Sequence, residues 1–330
     1  MAPWIAKQLR ELLAQRGHAW LLQGPSGLGQ YELGLALVRA WLCDRLREEG
    51  ACGECESCHS IEVHAHTDLA VLMPETVMLQ LGWPLSQKAQ EAIDKKERKP
   101  SKDIRVEAMR DTVEFAQRTS GRGRGKAVLV YPAERMNHVT ASALLKTLEE
   151  PPGDVRFVLA SESAHQLLPT IRSRCLGHTL HWPDAQEARP WLVRQGVGEA
   201  AASALLRAAG GRPNEALRMH AAGVDALAWS QLPRALARGE PGALADWAPA
   251  GIVEAMQKVC HDVLAVGSGA APRFFERADL PREVPLHAMT DWSKELAQAA
   301  RTAEHPFNAG LMLEALVSRA RCALNSGGPP

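Results

Sequence analysis

Four cysteines, Cys43, Cys52, Cys55 and Cys58, follow one another as C-x8-C-x2-C-x2-C. Thiolates spaced this closely can converge on one tetrahedral ion at about 2.3 Å each, and four sulfurs leave no open position for a reactive water. The spacing therefore points to a structural zinc site, with an iron–sulfur cluster as the alternative that spacing leaves open. His59, His64 and His66 lie near enough in sequence to compete as ligands, but the four sulfurs suffice and the histidines read as surface residues. Cys175, Cys260 and Cys322 read as buried or incidental thiols.

A second group is Gly24-Pro25-Ser26-Gly27-Leu28-Gly29-Gln30-Tyr31, which follows a predicted strand and opens a predicted helix. That is the setting in which a glycine-rich loop cradles phosphates on backbone N–H groups. A working loop continues with Lys, reaching the β- and γ-phosphates, and Ser or Thr, holding magnesium. Here those positions are Gln30 and Tyr31: a neutral amide cannot offset phosphate charge, and a phenol is too bulky to replace a small hydroxyl on the metal. The strand that should end in two acidic residues ends in Val130-Tyr131-Pro132-Ala133-Glu134, where Glu134 arrives too late to serve from the tip. Gly24, Gly27 and Gly29 are thus expected to form a degenerate phosphate loop that neither hydrolyses nor readily binds ATP.

The elements that must position these groups alternate between short apolar runs and helical stretches up to about residue 180. Ala19 to Leu22, Ala70 to Leu72, Ala127 to Tyr131 and Val155 to Ala160 are the clearest strands. Such alternation predicts an α/β domain, a parallel sheet with helices on both faces. Residues 86–103, rich in mixed charge, read as a solvated surface insertion. Beyond His181-Trp182-Pro183 the strand signal ends and Ala-, Leu- and Arg-rich helices follow, broken at Gly210-Gly211-Arg212-Pro213 and near Gly239-Glu240-Pro241-Gly242. Domains are therefore expected at 1–180, with the cysteine module inserted at 43–58, then at 181–240 and 241–325, with a disordered tail over 326–330.

Lys plus Arg equals Asp plus Glu, 38 each, so no bulk attraction to nucleic acid is available. Arg122, Arg124 and Lys126 form the densest purely basic cluster and read as a flexible surface loop rather than a DNA contact. The N-terminus runs directly into the helical pattern of Ile5, Leu9, Leu12 and Leu13, unlike a signal peptide, and the apolar runs are strand-length. A soluble cytoplasmic protein is the expectation, and seven cysteines suit metal binding in a reducing compartment.

Ala143-Leu144-Leu145-Lys146-Thr147-Leu148-Glu149-Glu150-Pro151-Pro152, then Arg156 to Ala160, then Ile171-Arg172-Ser173-Arg174-Cys175, closely resembles the clamp-loader ATPase family. With the four cysteines it is similar to the gamma/tau and delta prime subunits of bacterial DNA polymerase III, and the altered phosphate loop favours delta prime. The resemblance is firm over residues 1 to about 180. It implies an AAA+ fold, a RecA-like parallel sheet followed by a small helical lid and an all-α collar for oligomerisation. It implies gamma/tau and delta subunits as partners, with the sliding clamp and primer-template DNA met through the complex and no membrane. It also implies that Arg174, within Ser173-Arg174-Cys175, reaches the γ-phosphate of ATP held by an adjacent subunit as an arginine finger. The lid motif Gly211-Arg212-Pro213-Asn214 departs from the family by placing Asn214 where an arginine normally senses nucleotide.

The chain alone is expected not to be an enzyme, polymerase activity belonging to the assembly. One rival is an active ATPase of the gamma/tau type in which Lys126 or Arg135 replaces the missing lysine. Another is a zinc-dependent nucleic-acid-binding protein, which zero net charge disfavours.

Overall fold

The computed structural model describes residues 1–281, 284–303, 305 and 308–326. It divides into two compact units, Met1–Trp182 and Pro183–Pro330. Residues 327–330 of the tail expected to be disordered lie outside the described residues.

The first unit runs α1 (Pro3–Leu13), β1 (Ala19–Gln23), α2 (Gln30–Leu42), α3 (Glu56–Glu62), β2 (Leu69–Leu72), α4 (Glu75–Gln80), α5 (Gln87–Asp94), α6 (Val106–Gln117), β3 (Lys126–Val130), α7 (His138–Glu149), β4 (Val155–Ser161), α8 (Pro169–Arg172) and β5 (Leu176–Thr179). All strand pairings are parallel, in the order β2-β3-β4-β1-β5. A parallel sheet needs cover on both faces, which explains why its inner strands read as unbroken apolar runs. Alternate side chains serve alternate faces. Leu21, Val128 and Phe157 meet Met109 and Ala116 of α6, Leu144 and Leu148 of α7, and Ile171 of α8. On the opposite face α2 lies across β1, β3 and β4. Its Gly34 permits that approach, since a Cβ there would stand 2.8 Å from Leu129. β5, the strand absent from the sequence reading, is a short edge strand with mostly exposed residues, so its apolar signal is weak.

Residues 86–103 are partly as expected. The α5 helix buries none of its residues, but Arg98 is tied to the buried Glu75 by two hydrogen bonds of 2.5 and 2.7 Å, and Ser101 N–H donates to the same carboxylate. Mixed charge in the sequence concealed one anchored pair.

The second unit is helical among its described residues: α9 (Ala185–Arg194), α10 (Glu199–Ala208), α11 (Pro213–Ala221), α12 (Ala226–Arg238), α13 (Pro249–Gly267), α14 (Leu286–Thr302) and α15 (Ala309–Leu324). The two glycine–proline breaks fall between α10 and α11 and between α12 and α13. Asp225 caps α12 by accepting from Ala228 N–H, and left-handed Gly239 ends it. Within this unit α13 packs on α14 and α12 on α15. Asp262, fully buried on α13, accepts from the N–H groups of Arg273, Phe274 and Phe275 and so fixes the return loop.

Candidate functional site

The glycine loop leaves the C-terminal end of β1, the edge where open α/β sheets place ligands. Gly29 must be left-handed, φ 102°, and a Cβ there would meet Ile5 at 2.7 Å. The chain path of a phosphate loop is thus retained, and three of its carbonyls are held by side chains of the same chain. Gln30 is only 2 % exposed. Its Nε2 donates to the carbonyls of Gly24 at 2.6 Å and Pro25 at 2.8 Å, while Trp4 Nε1 donates to the Leu28 carbonyl at 3.3 Å. The side chain that in a working loop points at phosphate here stitches the loop to itself.

The next residue closes the neighbouring space. The Tyr31 hydroxyl accepts from Trp83 Nε1 at 2.7 Å, and its ring centroid lies 5.4 Å from that of Tyr131 at the end of β3. Trp83 stacks on His64 at 3.9 Å, and burial raises the Tyr31 phenol above its ordinary pKa. The Tyr131 hydroxyl donates to Glu162 at 2.9 Å. Glu134 accepts from Ser161 Oγ at 2.8 Å and from Glu162 N–H at 3.1 Å, so it braces β4. Lys126 begins β3, at the opposite edge of the parallel sheet from the loop, with Nζ bonded to the Phe115 carbonyl and 3.9 Å from that ring. It cannot replace the missing lysine. Arg135 is exposed in the turn beyond the strand.

At the other end of α2 the four cysteines come together. Their sulfurs lie within 4.8 Å of one another, with Cys43–Cys58 at 3.7 Å, Cys43–Cys55 at 3.8 Å and Cys52–Cys58 at 4.0 Å. Four thiolates at about 2.3 Å around one tetrahedral ion would be about 3.8 Å apart, so the donor set fits a single metal ion. The separations are too small to admit a multi-iron cluster with its bridging sulfides, which removes that alternative. N–H groups of Cys52, Glu54, Cys55 and Cys58 point at cysteine sulfurs at 3.3 to 3.4 Å. The Glu54 N–H foremost draws the Cys52 thiol down to about 6, whereas burial pushes Cys58 up to about 12. Holding all four cysteines as thiolates would need a compensating cation, which a divalent ion would supply.

Two expectations near this module are corrected. His66 is buried, with Nδ1 accepting from Asp68 N–H, whereas His59 is exposed. The basic loop is anchored rather than free. Asp68, 1 % exposed, accepts from Ser120 Oγ and from the N–H groups of Gly121 and Arg122 at 2.8 to 3.0 Å. Arg122 then bonds Ser57 Oγ and pairs with Glu56 at 2.8 Å, and Arg124 donates to the Asp44 carbonyl. Partners 54 and 80 residues away along the chain, the Asp68 carboxylate and the Asp44 carbonyl, are invisible to a local reading of charge.

Ser173, Arg174 and Cys175 form the turn between α8 and β5. The turn is held from below by fully buried Ile171, and Cys175 packs against the same core, its thiol pushed up to about 12 by burial. Ser173 Oγ donates to the Thr170 carbonyl. Arg174 projects to the surface, Nη1 donating to Thr170 O at 2.8 Å and Nε to Glu149 Oε1 at 2.6 Å, with Nη2 on the same oxygen. In the second unit Arg212 caps α11 and its Nε turns back to the Ala209 carbonyl at 2.8 Å, while Asn214 lies in the first turn of α11. Cys260 is buried and Cys322 exposed. No described helix is long and apolar enough to cross a membrane.

Comparison with known proteins agrees with this arrangement. A gamma subunit-related DNA polymerase III protein of Thermotoga maritima shares the fold, with a TM-score of 0.53 over 96 % of this chain and 99 % of that one at 16 % identity. DNA polymerase III subunit delta' of Pseudomonas aeruginosa is 39 % identical over 64 % of this chain and 58 % of its own length. The Escherichia coli subunit delta' is 34 % identical over 74 % of this chain and 67 % of its own. The matched stretch thus spans somewhat more than half to two thirds of these relatives. The family model described as DNA polymerase III, delta subunit, matches residues 3–183, and the chain belongs to that family.

Proposed function

We propose that the chain is a subunit of a bacterial DNA polymerase III clamp loader that hydrolyses no ATP itself and lends Arg174 to ATP held by a neighbouring subunit. The observation that carries this reading is the pair of hydrogen bonds from Gln30 to the Gly24 and Pro25 carbonyls. A loop satisfied by its own side chain has no lysine to offer a phosphate, and Tyr31 fills the place of the magnesium-binding hydroxyl. Arg174, by contrast, stands at the surface on a turn anchored in the core. A guanidinium carries a fixed charge and planar donors suited to a phosphoryl transition state, and such a group contributes roughly 10³–10⁵ in rate. Ser173 and Cys175 shape the turn that presents it.

In this reading the four cysteines hold a structural zinc that ties the end of α2 to α3. Residues 181–240 act as the lid and 241–325 as the collar through which the chain assembles with gamma/tau and delta subunits in the cytoplasm. The sliding clamp and primed DNA are met through that assembly. The test is DNA- and clamp-stimulated ATP hydrolysis by the reconstituted complex, with this chain or its Arg174→Ala variant. An assembled variant complex that loses a substantial share of its turnover supports the reading, and unchanged turnover refutes the finger.

A further inference from the structure

Glu149 is the last residue of α7, and Pro151-Pro152 beyond it ends the helix. A carboxylate at a helix C-terminus faces the negative end of the macrodipole, so it is poorly placed for the helix itself. Glu149 meets Arg174 instead, accepting from both Nε and Nη2 with a single oxygen, Oε1. Thr170 O holds Nη1 from the other side at 2.8 Å. Both anchors are rigid: α7 buries Leu144 and Leu148 in the core that also holds Ile171, the residue preceding Arg172 and Ser173. The guanidinium is therefore gripped along one edge and at one tip, although its side chain is 31 % exposed.

We infer that Glu149 is a positioning residue for Arg174, fixing the guanidinium in the orientation from which its remaining N–H groups face outward to an anion on a neighbouring chain. This rests on the reading of Arg174 as a finger acting in trans. An arginine without such a partner samples many rotamers, and the reaction must then wait for the competent one.

The experiment measures steady-state ATP hydrolysis of the reconstituted complex carrying Glu149→Ala, Glu149→Asp, Arg174→Ala or the Glu149→Ala/Arg174→Ala pair. The melting temperature of each free chain is recorded alongside. The expected result is that Glu149→Ala lowers kcat by up to about tenfold, the order of the rotamer freedom released, with KM for ATP and the melting temperature unchanged. Glu149→Asp should restore part of the loss, and the double variant should be no slower than Arg174→Ala alone. Turnover in Glu149→Ala equal to or faster than wild type overturns the inference, as does a loss that multiplies with that of Arg174→Ala. If Arg174→Ala itself leaves turnover intact, the finger reading fails first and this inference with it. Should the alanine variant fail to fold, Glu149→Gln, which keeps the side chain's shape and removes its charge, carries the same comparison.

Discussion

The two ends of α2 carry the two motifs that sequence marks most strongly, and they have met opposite fates. At the N-terminal end the glycine spacing survives, yet Gln30 turns inward onto the Gly24 and Pro25 carbonyls and Tyr31 closes against Trp83 and Tyr131. At the C-terminal end four sulfurs converge within 4.8 Å of one another, three of the pairs at 3.7 to 4.0 Å, in a geometry that fits one ion. A retained backbone path therefore does not by itself retain the side chains that a phosphate loop uses. What separates the two ends is whether the polar atoms are satisfied by the chain or converge on a common point.

The largest expected effect falls on the cysteine end. Cys58→Ser, at a fully buried cysteine of the proposed metal site, should abolish metal binding and cost on the order of 4–5 kcal/mol. Metal content and thermal melting measure this, and proteolysis should then open the segment between Asp44 and Glu56. A variant that melts like wild type would make the cysteines a plain thiol core.

Next is Asp68, which couples the basic loop to the module. Burial alone would raise its pKa, but the N–H groups of Gly121 and Arg122 and the Ser120 hydroxyl outweigh it and hold the carboxyl below its ordinary value. A depressed folded-state pKa contributes stability above the unfolded value of about 3.9, which is lost as pH falls through the folded value. Hydrogen exchange of residues 120–125 should therefore quicken below about pH 4. Asp68→Asn should show that quickening already at neutral pH, with about 2–3 kcal/mol of destabilisation.

At the loop end, Gln30→Ala should cost about 1–2 kcal/mol in urea denaturation, because the half-buried Gly24 and the exposed Pro25 carbonyls lose their donor. No loss would mean that the carbonyls reach water and that the loop is not stitched shut. Tyr31→Phe is the smallest change. It removes the acceptor of Trp83 Nε1 and should cost about 1 kcal/mol, with a shifted tryptophan emission as its spectroscopic mark.

The sheet, the inner strands and the fourfold cysteine site were legible because each rests on local pattern: apolar runs of strand length and ligands packed within 16 residues. That Gln30 and Tyr31 stand where a working phosphate loop has Lys and Ser or Thr was legible from residue types, but the place of their side chains was not. Glu149 on Arg174, Asp68 on the Gly121 and Arg122 amides, and Glu75 on Arg98 join residues 25, 53, 54 and 23 positions apart. Side-chain partnerships of that separation leave no periodic trace. For the same reason Arg122 and Arg124 read as a free basic loop, and His66 as a surface residue, when the fold gives each a fixed setting.

The most direct test of the account is a titration of the purified chain alone with magnesium and ATP, followed by calorimetry and by phosphate release. No saturable heat and no turnover are expected, because Gln30 and Tyr31 stand where a working loop has its lysine and its magnesium-binding hydroxyl. Turnover by the isolated chain that Gly29→Ala removes would contradict it.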